Sequence, residues 1–143
     1  MASTNSATAN PIREYYAKIC AGEIVACQKI RRTLQKLCAD LDKEDGPYTY
    51  DSAKAEKVIT FIEKYCRQSK GKNGGKPIKL ELWQKAFISA AFGFVDKATG
   101  LRKYREAALI VGRKNGKSTL GSGIGNYMLF ADRENGPEVV SAA

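Results

Sequence analysis

Histidine occurs nowhere in these 143 residues. That removes the commonest general base and the commonest metal ligand. The four cysteines, at positions 20, 27, 38 and 66, never form a Cys-x-x-Cys pair. Neither a zinc knuckle nor a thioredoxin-like couple is therefore spelled out, and reduced, buried thiols in a cytoplasmic protein are expected. No apolar run approaches the roughly 18 residues of a membrane span. The opening MASTNSATAN lacks the basic-then-apolar order of a signal peptide and reads as a disordered lead-in over residues 1–10.

Acidic side chains are scarce as well: 15 against 24 basic ones, a net charge of +9. Residues 1–47 are nearly balanced, with seven Lys/Arg and six Asp/Glu, so almost all the excess lies beyond them. A surplus of this kind favours a polyanionic partner, nucleotide or nucleic acid, or else forms a solvated basic surface. Apolar residues make up 43%, enough for a modest core in one domain or part of a larger one.

The first half reads as helical. Asn10-Pro11 is a cap followed by a first-turn proline, and it opens a short helix that stops near Gly22. Cys27, Ile30, Leu34, Leu37 and Leu41 form one stripe at 3-4-3-4 spacing, which predicts a second helix from about Glu23 to Asp42. Ser52 is the expected cap of a third helix, with Ala55, Val58 or Ile59, Ile62 and Cys66 facing inward. From Lys64 to Lys79 there are six positive residues and no negative one, and Gly71, Gly74, Gly75 and Pro77 turn the second half of that stretch into a loop. The loop is either a solvated connection or a contact for a phosphate backbone. An amphipathic helix with Trp83, Phe87, Ala90 and Phe94 on one face follows.

The last third reads as strand, loop, helix, turn, strand. "EAALIV", residues 106–111, has the continuous apolar character of a strand buried on both faces in a parallel sheet. Residues 118–130 are helix-length, although Gly121, Gly123 and Gly125 weaken the pattern while permitting close packing on a sheet. "EVVSA" begins like a second strand. The fold class expected is therefore α/β, with a parallel crossover at its end.

Between the first strand and the helix stands Gly112-Arg113-Lys114-Asn115-Gly116-Lys117-Ser118-Thr119. Its end matches the G-K-[ST] of a phosphate loop, but the leading glycine of the general pattern is replaced by Val111. The chemistry needs backbone N–H groups converging on an anion, a lysine for the β- and γ-phosphates and a hydroxyl for Mg²⁺. Gly116, Lys117 and Ser118 supply the last of these in order. Arg113 and Lys114 add charge where a γ-phosphate would lie, and a guanidinium there stabilises charge developing in phosphoryl transfer. A basic structural turn is the other reading of the same residues. Trp83 and Gln84 offer a second clue, because an amide can donate to and accept from an adenine edge while an indole packs beside it.

These stretches together resemble a known family. "ELWQKAF", "FGFVDKATGLRKYREAALIVGRKNGKSTL" and the final "EVVSAA" are similar to the large subunit of tailed-phage and prophage terminases, as are "NPIREYYAKICAGEIVACQKIRR" and "YDSAKAEKVITFIEKYCRQSKG". That family's phosphate loop omits the first glycine and carries an early arginine, here Arg113. The resemblance implies a helical region over 11–79 and, over 80–143, the start of a P-loop ATPase of the additional-strand, catalytic-glutamate type. It implies an ATP-driven motor that packages double-stranded DNA and an RNase H-like, Mg²⁺-dependent endonuclease that cuts concatemers. The implied partners are a terminase small subunit, a portal protein and further copies in a ring, with no membrane. By matching positions Gln84, with Trp83 beside it, would read adenine. Lys117 and Ser118 would hold phosphates and Mg²⁺, and Arg113 would sense the γ-phosphate. The family's Walker B aspartate, catalytic glutamate and nuclease carboxylates have no counterpart here, so the expectation is a sheet truncated after its second strand and a chain without turnover. The alternatives are a basic nucleic-acid-binding module or a helicase-like P-loop fragment.

Overall fold

The computed structural model describes residues 10–69, 71–133 and 136–140. The lead-in expected over residues 1–10, apart from Asn10, and the terminal Ser-Ala-Ala lie outside the described residues. Among the described residues five helices and two short strands follow in the order α1 (Pro11–Cys20), α2 (Gln28–Leu41), β1 (Tyr48–Tyr50), α3 (Ser52–Tyr65), α4 (Leu82–Gly93), β2 (Phe94–Asp96) and α5 (Lys117–Phe130). The contacts divide the chain into two compact units. One comprises residues 1–55 and 81–105, the other residues 56–80 and 106–143.

The first unit is built on α1. Asn10 caps it, its side-chain oxygen accepting from the Ile12 N–H at 2.9 Å, and Pro11 needs no donor there. Ile12 and Ile19 are buried with Leu34 and Leu37 of α2 and Phe94 of β2. Complete burial of a side chain such as Phe94 stabilises by about 2–3 kcal/mol. The predicted α2 stripe holds only in part. The helix starts five residues late, so Cys27 falls on its N-cap and is exposed, and Ile30 is 43% exposed. Cys20 is exposed too, while Cys38 and Cys66 are half-buried, so the four free thiols are not the buried set expected.

α4 differs from its prediction as well. Gln84, Ala86, Ile88, Ser89 and Phe92 are buried, whereas Trp83, Phe87 and Ala90 are only half-buried. The helix is covered on most sides rather than along one stripe, and α1 is among the elements packed on it. β1 and β2 pair antiparallel, with Thr49 opposite Val95. After β2 the Asp96 carboxylate accepts from the N–H groups of Ala98 and Thr99 at 2.9 and 2.8 Å, which closes a turn.

The second unit contains most of α3, the loop after it, and α5. The α3 cap comes from Asp51 rather than Ser52: its carboxylate accepts from Lys54 N–H at 3.3 Å, and Ser52 is already helical. Val58, Ile62, Ile78, Leu80, Leu120 and Tyr127 are its buried apolar side chains. α5 survives its three glycines over 14 residues because Leu120, Gly123 and Tyr127 present one buried face.

The parallel crossover is the main correction. The sheet among the described residues is two-stranded and antiparallel. Residues 106–111 form no strand and Ile110 is 95% exposed; residues 138–140 are likewise unpaired and exposed. The reason is physical: a strand buried on both faces requires backbone partners at its edges and layers above and below, and no described segment supplies them.

Candidate functional site

The loop before α5 derives its shape from two left-handed residues. Gly116, the N-cap, has φ 70° and ψ 13°, a conformation that costs an ordinary side chain about 1 kcal/mol. Lys114 has φ 66° without being glycine, which is uncommon and marks strain. Between them, the Asn115 amide donates to the Gly112 carbonyl at 3.3 Å and ties the loop across its base. The first helical bond runs from Leu120 N–H to Gly116 O at 2.9 Å. The N–H groups of Lys117, Ser118 and Thr119 thus have no intrahelical acceptor. Residues 112–118 are exposed and Thr119 is half-buried, so those donors open towards solvent.

The electrostatics are inverted relative to an ordinary helix start. Helix N-termini favour negative charge by about 0.3–1 kcal/mol per group. The first turn of α5 has no acidic residue. It begins instead with Lys117, preceded by Arg113 and Lys114, and no Asp or Glu occurs from 107 to 131. An anion seated on these N–H groups would satisfy the donors, the dipole and the cations together.

Structure brings together Gly112, Arg113, Lys114, Asn115, Gly116, Lys117, Ser118 and Thr119 on this one loop and helix start. Trp83 and Gln84 lie on α4, in the other unit. Gln84 is not the surface residue it resembles in isolation: it is 7% exposed, and its Oε1 accepts from the Glu81 N–H at 2.9 Å. Its amide N–H₂ is the part left for a base. Glu81 escaped the sequence reading, although Glu-x-x-Gln ahead of an apolar run is the spacing of reciprocal capping.

A cationic, glycine-hinged loop heading a helix is an arrangement suited to an anion. The comparisons narrow it. Residues 82–143 match the family of the terminase large subunit, ATPase domain. Over 71 residues the chain is 41% identical to the terminase large subunit of Enterobacteria phage HK97, a match covering 50% of this chain and 13% of that protein. Over this segment the chain is similar to the terminase large-subunit family, and it spans only a small part of the length of that relative. No solved structure matches. No helix among the described residues is long and apolar enough to cross a membrane.

Proposed function

We propose that residues 112–119 hold the phosphates of ATP as part of a viral DNA-packaging motor. The observation that carries this is the inverted helix start: three cations and three acceptorless N–H groups with no neighbouring acid. The residues fit the group. Gly116 keeps the approach free of a side chain, the N–H groups of Lys117 to Thr119 face the anion, and the Lys117 ammonium balances β- and γ-phosphate charge. The Ser118 hydroxyl would hold Mg²⁺ arriving with the nucleotide, which would polarise the transferred phosphoryl group. Arg113 stabilises charge on the γ-phosphate, and Trp83 with the Gln84 amide is assigned to adenine.

The P-loop ATPase sheet of the additional-strand type, the double-stranded DNA substrate, the small-subunit and portal partners, the ring of copies and the Mg²⁺-dependent endonuclease belong to this reading of the whole family protein. With no carboxylate from 107 to 131, loop and helix bind nucleotide without orienting an attacking water. This chain therefore binds Mg-ATP but releases no phosphate steadily. The test is the fluorescence of Trp83, the single tryptophan, titrated with Mg-ATP. A saturable response lost in Lys117→Ala supports the reading, and an unchanged response in that variant sinks it.

A further inference from the structure

The basic stretch after α3 is a built element, not the loose connection its glycines suggest. Residues 66–68 and 75–78 run antiparallel: Gln68 N–H donates to Lys76 O at 2.9 Å, Gly75 N–H to Gln68 O at 2.8 Å and Ile78 N–H to Cys66 O at 3.2 Å, with a bridge between Arg67 and Pro77. At the tip Gly74 N–H donates to Gly71 O at 2.9 Å. The base is anchored by buried Ile78 and Leu80, and the Leu80 N–H donates to the Glu63 carboxylate at 3.0 Å. Arg67, Lys72, Lys76 and Lys79 are exposed, and none of them joins an ion pair among the described residues.

From these observations we infer that this hairpin is a docking finger for the phosphate backbone of double-stranded nucleic acid. Charge complementarity selects a polyanion. From 67 to 77 the sequence is Arg-Gln-Ser-Lys-Gly-Lys-Asn-Gly-Gly-Lys-Pro, with no aromatic or large apolar side chain. A protein partner would find no anchor of the kind that dominates interface energy. Between 67 and 77 unpaired bases would find no ring on which to stack, although the exposed Tyr65 stands just before the ribbon. Regularly spaced phosphates need neither, and cationic side chains on a closed ribbon meet them without reading sequence. The ordered base matters because it lowers the entropy lost when those side chains dock. The finger works whether or not the loop before α5 takes a nucleotide.

The test uses the full chain without nucleotide and a fluorescently labelled duplex of about 20 base pairs, enough for several phosphate contacts. Anisotropy is followed across salt concentrations. The expected affinity is independent of duplex sequence, and the logarithm of the association constant falls with that of salt at a slope of about −2.7 to −3.6, for three or four phosphates. The triple change Arg67→Gln, Lys72→Gln, Lys76→Gln flattens the slope by nearly three and weakens binding about 10–100-fold at low salt. The matching change on the exposed face of α2, Lys29→Gln, Arg32→Gln, Lys36→Gln, shifts affinity by about twofold or less if the finger, not net charge, makes the contacts. Lys117→Ala leaves duplex binding intact, which separates this inference from the nucleotide reading. Equal losses in both triple variants, tighter binding to single strands, or binding to phosphatidylserine vesicles without binding to duplex each overturn it. Lysine acetylation footprinting gives a second readout: duplex must protect Lys72 and Lys76 more than Lys29 and Lys36.

Discussion

Gly123 of α5 lies so close to Ile62 of α3 that a Cβ at that position would stand 3.2 Å from both Cγ1 and Cγ2 of the isoleucine. The glycine therefore serves helix-on-helix packing, not the helix-on-sheet packing its neighbourhood suggests. Ile62 is completely buried and β-branched, so it cannot swing aside cheaply. Gly123→Ala is expected to lower the melting temperature despite the better helix propensity of alanine. Gly121, where an added methyl group would meet nothing within 4 Å, is the control. Gly121→Ala should stabilise by about 1 kcal/mol, the propensity gain alone. Two circular dichroism melts decide the matter, and shifts of the same sign would contradict the packing role of Gly123.

Gln84 carries two roles that can be separated. Its Oε1 caps Glu81, so Gln84→Ala should cost about 0.5–1 kcal/mol of stability as well as any base contact. Gln84→Glu keeps the acceptor and loses the amide donors. The melt of the glutamate variant should stay close to that of the parent while its Trp83 response to Mg-ATP weakens. A full ATP response in that variant would remove Gln84 from the adenine site.

The loop before α5 should trade stability for binding. Lys117 faces a helix dipole of unfavourable sign, so Lys117→Ala is expected to raise the melting temperature of the ligand-free chain by relieving about 0.3–1 kcal/mol. Inorganic phosphate should stabilise the parent chain and stabilise the variant less. A parent chain indifferent to phosphate, or a variant less stable than the parent, would refute the proposed charge inversion at this helix start.

The Lys103–Asp40 pair, 2.8 Å apart, sets the expected pH dependence of the first unit. The hydrogen bond from Lys103 holds the Asp40 carboxyl below its ordinary value, against the opposing effect of burial. Burial is the largest influence on Lys103 and disfavours its charge. Hydrogen bonds to Asp40 and Tyr104 outweigh it, so the ammonium titrates above its ordinary value. The rings of Tyr48, Phe94 and Tyr104 surround the same nitrogen at 5.1–5.3 Å. For Asp40 the stabilisation is present above an unfolded carboxylate pKa of about 3.9 and is lost as pH falls through the depressed folded value. For Lys103 it is present below about 10.4 and is lost as pH rises through the raised one. Asp40→Asn should flatten the acid limb of a stability–pH profile. Its cost near neutrality should be about 1–2 kcal/mol, less than for a dry pair because both side chains remain partly wet.

Much of the helical half is legible residue by residue. Asn10-Pro11 announces α1, and Ala55, Val58 and Ile62 are buried along α3 as their spacing requires. The N-terminal end of α2 is not legible: Cys27 and Ile30 continue an apolar period that the backbone does not continue, because periodicity reports amphipathic spacing and not where helical hydrogen bonding starts. Of the site, Gly116-Lys117-Ser118 can be read from residue order alone, since a glycine turn and a cationic helix start are local properties. The αL backbone of Lys114, the Asn115 tie and the Gln84 cap cannot, because each depends on where a neighbouring backbone group points.

Local chemistry was enough to place the α1 cap, the excess of positive charge and the loop that heads α5. Those features depend on residues a few positions apart, and their energies are felt before any long-range contact forms. Tertiary contacts alone decided that Gly123 meets Ile62, that Gln84 is buried, that the basic stretch closes into a hairpin and that "EAALIV" remains unpaired in this chain. Burial and strand pairing are relations with distant neighbours. An apolar run states a need for such neighbours, and only the folded chain shows whether they are met.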